Sequence, residues 1–328
     1  MGDIPLYPLR FGPILRQLIW GGRRLGTVLH KPIGPADDYA ESWEIADYRN
    51  AVSVVCEGPL EGTSLRELVE RRGPELLGTR HAGASQFPLL VKFIDARLDL
   101  SVQVHPDDEK GKRLAGDNGK TEAWVIVDAE PDSLIYAGLK SGVTPQQFGA
   151  AITAGEVEPL LHRFSPRPGD CIMIEAGTVH AIGAGVLLAE IQQMSDATFR
   201  IYDWGRVGAD GKPRELHVAQ ALESTDFALG PVNPLLPAPE RDASGNLREK
   251  LARSAYFALE RWRLARPAVL GFDDRFTILM GLEGRAEVRH NNQGTILDFG
   301  QTLLLPAAAG PCAVIPQGEA VVLTCVTP

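Results

Sequence analysis

The chain has 328 residues, of which 44% are hydrophobic and 23% charged, with a formal net charge of −9 at pH 7; this composition is ordinary for a soluble globular protein. The acidic balance, with no run of lysine and arginine, excludes a nucleic acid as the expected partner. The sequence has no apolar run of about 18 residues, and Asp3 and early prolines replace the basic start of a signal peptide, so we expect a cytoplasmic protein outside the membrane.

Three helices are predicted before residue 230. The first covers residues 63–72, where Thr63 and Ser64 are candidate N-caps ahead of an apolar stripe. The second covers residues 144–152, which begin with a threonine cap and a proline at the first helical position. The third covers residues 214–224. We expect all three to pack on a β framework.

Short β-rich runs separated by turn residues dominate residues 85–193. They read FPLLVKFID, LSVQVHP, EAWVIVD, SLIYAG, DCIMIEA and VLLAEIQQ. Most connections between them are too short for a crossover helix, so parallel βαβ units are not expected.

The chain is long enough for two domains, because single cores tend to split beyond roughly 250 residues. Residues 231–247 are proline-rich and without periodicity, which predicts an extended linker. We therefore expect a larger domain over residues 1–230 and a smaller β domain over residues 248–328. The segments 168–185 and 299–316 share a glycine-spaced pattern, a hint of duplication in which only the first copy carries a histidine.

The strand LSVQVHP directs polar groups to one side. Period-2 geometry places Ser101, Gln103 and His105 on one face, opposite Leu100, Val102 and Val104. A strand with one apolar face and one face of amide and imidazole groups is suited to holding a ligand.

Four polar residues are candidate metal ligands: Gln103, His105, Glu122 and His180. They lie on or beside different strands and could converge inside one β-barrel. Two imidazoles, a carboxylate and an amide oxygen suit a borderline divalent metal. For each residue alone, a hydrogen-bonded or solvated structural role is the ordinary alternative.

These motifs resemble a known family. QVH followed by a glutamate, and then a glycine-turn-histidine pattern, is similar to the two cupin motifs. FPLLVKFIDARLDLSVQVHPDD, GKTEAW, EAGTVHAIGAG and LLAEIQQMSDATFRIYDWGR together look like a type I phosphomannose isomerase of the short bacterial kind. The resemblance covers residues 1–226 well and the terminal region loosely.

The resemblance implies a mainly β fold of two cupin-type jelly-roll barrels, the second degenerate, with a few packing helices. It also implies one Zn²⁺ per chain bound by Gln103, His105, Glu122 and His180, and a small-molecule sugar phosphate as substrate. The implied reaction interconverts mannose 6-phosphate and fructose 6-phosphate through an enediol. Active-site roles are implied for Lys92, Lys120, Glu190 and Arg200. The sequence does not indicate an oligomeric state.

The chain departs from the family pattern at two positions. Gly119 stands where long family members have a histidine, so no catalytic histidine is expected there. Glu175 replaces the usual proline before the Ala-Gly turn and could perturb the loop that aims His180.

The implied chemistry suggests roles for these residues. A base must remove a carbon-bound proton while the adjacent oxygen is stabilised. Glu190, or with less support a neutral Lys120, could move the proton, and Arg200 could stabilise the enediolate or bind phosphate. The structural alternatives are a Glu190–Arg200 ion pair, and lysines at positions 92 and 120 that only balance a ligand carboxylate. Near the N-terminus, Trp20, Glu41, Trp43 and Glu44 match family positions, and we expect them to pack or line the pocket.

Two other functions fit the same residues. His105, Glu122 and His180 could form a facial triad on Fe²⁺ in a dioxygenase, although Gln103 would then be a surplus ligand. A non-catalytic sugar-binding cupin could retain the ligands without turnover, although Lys120, Glu190 and Arg200 weigh against it.

Overall fold

Antiparallel strands dominate this computed structural model, which describes residues 4–207, 211–291 and 293–328. The strands before residue 230 are β1 Ile14–Gly22, β2 Tyr39–Ile45, β3 Asp47–Tyr48, β4 Ala51–Val52, β5 Leu89–Ala96, β6 Val102–Val104, β7 Glu122–Ala129, β8 Ile135–Leu139, β9 Leu161–Phe164, β10 Cys171–Ile174, β11 His180–Ile182, β12 Val186–Gln193 and β13 Phe199–Tyr202. The mainly β fold expected from the sequence is confirmed. No helix in the described ranges is long and apolar enough to cross a membrane.

Two sheets of five or more strands form the first part of the molecule, and β3 and β4 pair as a short two-stranded ribbon. The six-stranded sheet has the order β1-β2-β5-β12-β7-β10, and the five-stranded sheet has the order β13-β6-β11-β8-β9. One hydrophobic cluster combines Ile94, Trp124 and Leu188 of the first sheet with Ile135 and Ile182 of the second. The inner faces of the two sheets therefore pack against each other.

Strand alternation divides this interior into an apolar and a polar part. On β12, Leu187, Ala189 and Ile191 belong to the cluster outside the six-stranded sheet. Leu188 belongs to the interior cluster, and Glu190 has the same parity and lines an internal cavity. The same strands that build the apolar core therefore also deliver polar side chains to the interior.

The helices cover the outer faces of the sheets. Some of them agree with the sequence prediction and others do not. They are α1 Arg24–Thr27, α2 Leu65–Leu77, α3 Asp108–Ala115, α4 Pro145–Ala154 and α5 Val218–Ser224. Ser64 caps α2 in a capping box with Glu67, and Thr144 caps α4 with Pro145 in the first turn. The structure extends α2 beyond the predicted end, past non-helical backbone at Arg72.

Helix α5 is shorter than predicted and α3 was not predicted. Residues 214–217 precede α5, which begins only at Val218. They bond neighbouring segments instead, since the Arg214 side chain donates to Asp203 and the His217 amide donates to the Arg200 carbonyl. Helix α3 has only Gly111 buried, so it lacks the apolar stripe by which helices are recognised. Its boundaries come from an Asp107 cap and a left-handed Gly116.

A third sheet lies beyond residue 239. Its strands are β14 Glu240–Arg241, β15 Leu247–Arg253, β16 Ala258–Leu264, β17 Ala268–Leu270, β18 Thr277–His290, β19 Gln293–Asp298, β20 Thr302–Leu305 and β21 Cys312–Val326. We call this the C-terminal sheet. Phe257, Phe276 and Leu323 share a hydrophobic cluster with Phe93 and Leu187, so the C-terminal sheet packs on the outer face of the six-stranded sheet. Part of the predicted linker pairs in the β14–β15 hairpin, where Glu240 faces Arg248 and Arg241 faces Leu247.

Candidate metal centre and active site

Three buried side chains converge at the polar part of the interior. One ligand atom from each of His105, Glu122 and His180 lies within 4.8 Å of the others. Their exposed fractions are 1%, 0% and 0%. Glu122 begins β7, His180 begins β11, and His105 directly follows β6, which pairs with β11 through Gln103 and His180. Strand pairing therefore brings together residues that are up to 75 positions apart, from 105 to 180.

Backbone carbonyls fix the orientation of both imidazoles. Nδ1 of His105 lies 2.9 Å from the Ala197 oxygen, and Nδ1 of His180 lies 2.8 Å from the Thr178 oxygen. Because carbonyls only accept, both Nδ1 atoms carry the proton and both Nε2 atoms present a lone pair. Each Nε2 lies 3.4 Å from a Glu122 oxygen. This arrangement of outer hydrogen bonds is typical of metal-binding histidines.

Burial keeps both histidines neutral. It lowers the pKa of His105 to about 4, assisted by the Lys120 charge. Burial likewise lowers the pKa of His180. Neutral imidazole is the form that binds a metal, so no proton has to leave these rings at neutral pH.

Glu122 is a buried carboxylate whose oxygens have unfilled acceptor positions. Burial alone would raise its pKa, but Lys120 and His105 hold the pKa well below its usual range. Lys120 Nζ lies 2.9 Å from Oε2, yet neither oxygen has a hydrogen-bond partner among the described residues. Buried charged oxygens without donors are costly and rare. The donor set and this orphaned carboxylate fit a divalent metal.

Gln103 and Lys120 occupy the imidazole lone pairs in this structure. Gln103 Nε2 lies 3.2 Å from His180 Nε2, and Lys120 Nζ lies 3.1 Å from His105 Nε2. Each lone pair accepts one partner, so these contacts and metal ligation exclude one another. The amide oxygen of Gln103 would serve as a ligand after a rotation of the amide group, whose nitrogen and oxygen are alike in shape.

Glu190 is held by Lys92 and Trp124. Its Oε1 lies 3.1 Å from Lys92 Nζ, and its Oε2 accepts a 2.8 Å hydrogen bond from Trp124 Nε1. The strand register places all three side by side, because residue 190 of β12 faces residue 92 of β5 and residue 124 of β7. The Glu190–Arg200 pair considered from the sequence is therefore wrong, since the Glu190 carboxylate pairs with lysine.

Lys92 remains charged despite its burial. Burial alone would lower its pKa, but Glu190 and then Glu41 reverse this and raise the pKa above its ordinary value. The ammonium also lies 5.6 Å from the centre of the Trp43 ring. Lys92 is therefore a fixed cation rather than a base.

Arg200 stands beside the metal-binding group. It faces Gln103 across the β13–β6 pair, so their side chains share the inner face. Its Nη1 donates to the Glu215 carbonyl, at 2.9 Å. Its Nε is buried without a partner among the described residues.

Arg214 is a site residue that sequence reasoning missed. Its Nε donates to Asp203 Oδ2 at 2.8 Å, and Arg206 Nη2 donates to Oδ1 of the same carboxylate. Arg214 lines the cavity that Arg200 and Lys120 also line, whereas Arg206 does not. The sequence has Arg200, Arg206 and Arg214 within 20 residues after Ser195, a concentration of positive charge that could have indicated an anion site. Arg214 was instead assigned to a helix, because the RELH stretch resembles a helix start.

The cavity above this group has a volume of about 300 Å³, at the lower end of small-molecule pockets. Its charged lining residues are Glu41, Lys92, Lys120, Glu190, Asp196, Arg200 and Arg214. A larger cavity of about 430 Å³ lies between the N-terminal region and the C-terminal sheet. His105, Glu122 and His180 line neither cavity. Gln103 and Lys120, which contact His180 and His105, line the smaller cavity and not the larger one, so we place the chemistry in the smaller one.

The N-terminal residues divide between two sides of β2. Trp20 and Glu41 line the site cavity, and Trp43 lies under Lys92 and donates to Glu41 at 2.6 Å. Glu44 lies on the opposite face of β2, where it pairs with Lys31 at 2.6 Å, so it is not part of the site.

Glu175 does not displace the loop that carries His180. The Gly177 amide donates to the His105 carbonyl at 2.8 Å, and the Ala176 amide donates to Thr121 Oγ1 at 3.3 Å. These bonds fix the loop independently of the side chain at position 175, which is exposed.

Comparison with known proteins places the chain in a family. Residues 9–133 match the catalytic domain of type I phosphomannose isomerases, and residues 248–325 match the cupin domain of mannose-6-phosphate isomerases. The chain is 35% identical to the mannose-6-phosphate isomerase ManA of Bacillus subtilis over 316 residues, covering 96% of this chain and 98% of that protein. It is 32% identical to the Streptococcus mutans mannose-6-phosphate isomerase, covering 91% and 92% of the two chains.

Solved structures extend the similarity to the whole fold. The crystal structure of mannose 6-phosphate isomerase from Bacillus subtilis matches with a TM-score of 0.89 at 30% identity, covering 98% of this chain and 99% of that one. The Salmonella typhimurium enzyme matches with a TM-score of 0.77 at 18% identity, covering 98% and 99%, and supports the fold alone. The cupin fold expected from the sequence is confirmed, and the similarity includes the C-terminal region more fully than the motifs indicated. The chain belongs to the type I phosphomannose isomerase family.

Proposed function

We propose that the protein is an aldose–ketose isomerase that interconverts mannose 6-phosphate and fructose 6-phosphate. The observation that carries this proposal is the buried His105–Glu122–His180 group, which adjoins a cavity lined by Glu190 and Arg200. Gln103 and Lys120 line that cavity and contact His180 and His105. Family membership supports the same reaction. We further propose that residues 1–230 form the catalytic domain, residues 231–247 the linker and residues 248–328 the supporting domain.

We infer that the metal is Zn²⁺, one per chain, bound by Gln103, His105, Glu122 and His180. Two neutral imidazoles and a carboxylate are a donor set that zinc prefers, and a fourth position is open to an amide oxygen, water or substrate. Such an ion would act as a Lewis acid towards sugar oxygens in the site.

Glu190 is the proposed proton carrier. In the open-chain aldose, it would take the proton from C2 while that C–H electron pair forms the C1–C2 double bond and the C1 oxygen is protonated. Loss of the O2 proton and return of a proton to C1 then produce the ketose. Lys92 and Trp124 hold the carboxylate facing the cavity. Lys120, 3.9 Å from Glu190, is the alternative carrier.

Two arginines are proposed to serve different parts of the substrate. Arg200, next to Gln103, is placed to stabilise charge on the enediolate. Arg214, fixed by Asp203, is placed to bind the phosphate group as a charged and oriented donor.

We expect Arg214→Gln to raise KM for mannose 6-phosphate by about tenfold to a hundredfold with little change in kcat. A hydrogen bond to a charged group contributes about 1.5–3 kcal/mol. Steady-state kinetics would measure this, with Arg206→Gln as the matched control because Arg206 shares Asp203 but does not line the cavity. Equal KM changes in both variants would contradict a phosphate contact at Arg214.

The dioxygenase and binding-protein alternatives predict different results in one set of assays. Protein purified without added metal is analysed for metal content, then tested for oxygen uptake and for turnover of mannose 6-phosphate, before and after chelation and return of zinc. We expect zinc, no oxygen uptake, and turnover that disappears and returns. Iron with oxygen uptake would overturn the isomerase proposal, and zinc-loaded protein without turnover would favour a binding protein.

A further inference from the structure

Residues 119–122 carry the site residues Lys120 and Glu122, and the backbone of this segment bonds groups that are not site residues. Residues 119–121 precede β7, and their three successive amides are bonded outside any strand ladder. The Gly119 amide donates to Asp108 Oδ1 at 2.9 Å, the Lys120 amide to the Pro106 carbonyl at 3.0 Å, and the Thr121 amide to Gln193 Oε1 at 2.9 Å.

Asp108 joins two of these three bonds, the one from Gly119 directly and the one from Thr121 through Gln193. Besides Gly119, its Oδ1 accepts from Gln193 Nε2 at 2.9 Å, and its Oδ2 accepts from the Tyr256 hydroxyl at 2.7 Å. Burial alone would raise the pKa of Asp108, but these three donors hold the pKa below its ordinary value. Asp108 is therefore an acceptor for two elements of the catalytic region and one of the C-terminal sheet.

Tyr256 is itself firmly placed. Its amide and that of Phe257 both donate to Ser254 Oγ at 3.1 Å in the turn before β16. Phe257 is completely buried in the cluster shared between the C-terminal sheet and the six-stranded sheet. The hydroxyl thus reaches Asp108 from a rigid support.

The packing at Gly119 leaves no room for adjustment. A Cβ at this position would lie 2.5 Å from the Asp108 amide nitrogen and 2.6 Å from the Asp107 carbonyl carbon. This close approach of the backbone to the start of α3 leaves no space for a side chain at position 119. The position of the segment is set by α3, and Asp108 belongs to α3.

We propose that Asp108 and Tyr256 are positioning residues, through which the C-terminal sheet holds the 119–122 segment so that Lys120 and Glu122 face the metal group. The inference rests on the proposed isomerase function only for its kinetic readout. Neither residue lines the cavity, so neither touches the substrate.

The test compares four variants in the full-length protein: Tyr256→Phe, Asp108→Ala, Asp108→Asn and the control Tyr136→Phe. Tyr136 donates to Glu158 at 3.1 Å in the five-stranded sheet and has no contact with the segment among its hydrogen bonds in the described chain. Asparagine can accept from Gly119 and Gln193 through its oxygen while its amide group donates to the tyrosine oxygen, so it should preserve the network. Alanine cannot.

We expect Asp108→Ala to lower both kcat and zinc affinity by about tenfold, with KM within about twofold. This is the lower end of the loss for direct hydrogen-bond partners of metal ligands, because Asp108 acts through the segment that precedes Glu122. Tyr256→Phe should lower kcat and zinc affinity by about threefold to tenfold. Asp108→Asn should keep most of the kcat and zinc affinity that Asp108→Ala loses. Chelator competition measures zinc affinity without any turnover, so it tests the inference even if the isomerase assignment fails. Zinc affinity and kcat unchanged in Asp108→Ala, or reduced no more than in Tyr136→Phe, would overturn the proposal.

Discussion

Replacing Glu190 with glutamine is expected to lower kcat by about two to four decades, the usual contribution of a positioned acid–base group. Glutamine keeps the size of the side chain and can accept from Trp124, but it has no lone pair basic enough to take a carbon-bound proton. KM should change little, because Arg200 and Arg214 remain in the cavity. Initial rates with mannose 6-phosphate over a range of concentrations separate kcat from KM.

The matched control for this variant is Glu44→Gln. Glu44, like Glu190, is a buried strand glutamate paired with a buried lysine, but it lies on the far face of β2 outside the site cavity. Either change removes a charge partner of a buried ammonium and should destabilise the fold by up to about 3–5 kcal/mol, less for Lys92 because it keeps Glu41 at 3.7 Å. Thermal unfolding should therefore shift in both variants, while only Glu190→Gln loses turnover.

A Glu190→Gln variant within tenfold of wild-type kcat would remove Glu190 as the proton carrier. Lys120→Met would then be decisive, because Lys120 is the other titratable group close to both Glu190 and the metal group. A loss of two or more decades there, with zinc still bound, would assign the proton transfer to lysine.

The local sequence pattern was sufficient to predict the orientation of residues within a single strand. The alternation on β6 separates Gln103 from Val102 and Val104, and the structure has the two valines in the cluster outside the five-stranded sheet. Leu100 lies before the strand and departs from the alternation, since it packs in the interior cluster. The caps at Ser64 and Thr144 were likewise readable, because capping is a local interaction.

Contacts between residues that are distant in the chain could not be predicted from the local sequence pattern. The Lys92–Glu190 pair depends on the register of β5 against β12, and a shift of β12 by one residue would send Glu190 to the outer face, away from Lys92. Arg214 and Asp203 meet because residues 207 and 213 pair in a short antiparallel bridge. Tyr256 and Asp108 are 148 residues apart and meet only through the packing of the C-terminal sheet. Helix propensity in RELH was overridden by that arginine–aspartate contact.

The Glu122→Gln variant is expected to hold zinc at less than about a tenth of an equivalent and to lose about three decades in kcat/KM. The substitution removes the one negative charge among the proposed ligands, and a Lewis-acid metal contributes several kcal/mol to transition-state stabilisation, with about 1.4 kcal/mol for each decade. Metal analysis after dialysis, followed by kinetics, measures both. Glu175→Gln is the control, because Glu175 is an exposed glutamate on the loop that carries His180.

Thermal unfolding in the presence of zinc tests the same site without reference to catalysis. A ligand that binds only the folded state stabilises it by about 2.7 kcal/mol at a hundred times its Kd, so added zinc should raise the Tm of the metal-free wild type and of Glu175→Gln. Glu122→Gln should show no such rise, because its two histidines would have to bind the ion without the carboxylate that lies 3.4 Å from each of them. A full zinc-dependent rise in Glu122→Gln would mean that the ion binds elsewhere, and the proposed role of His105, Glu122 and His180 as its ligands would then be wrong.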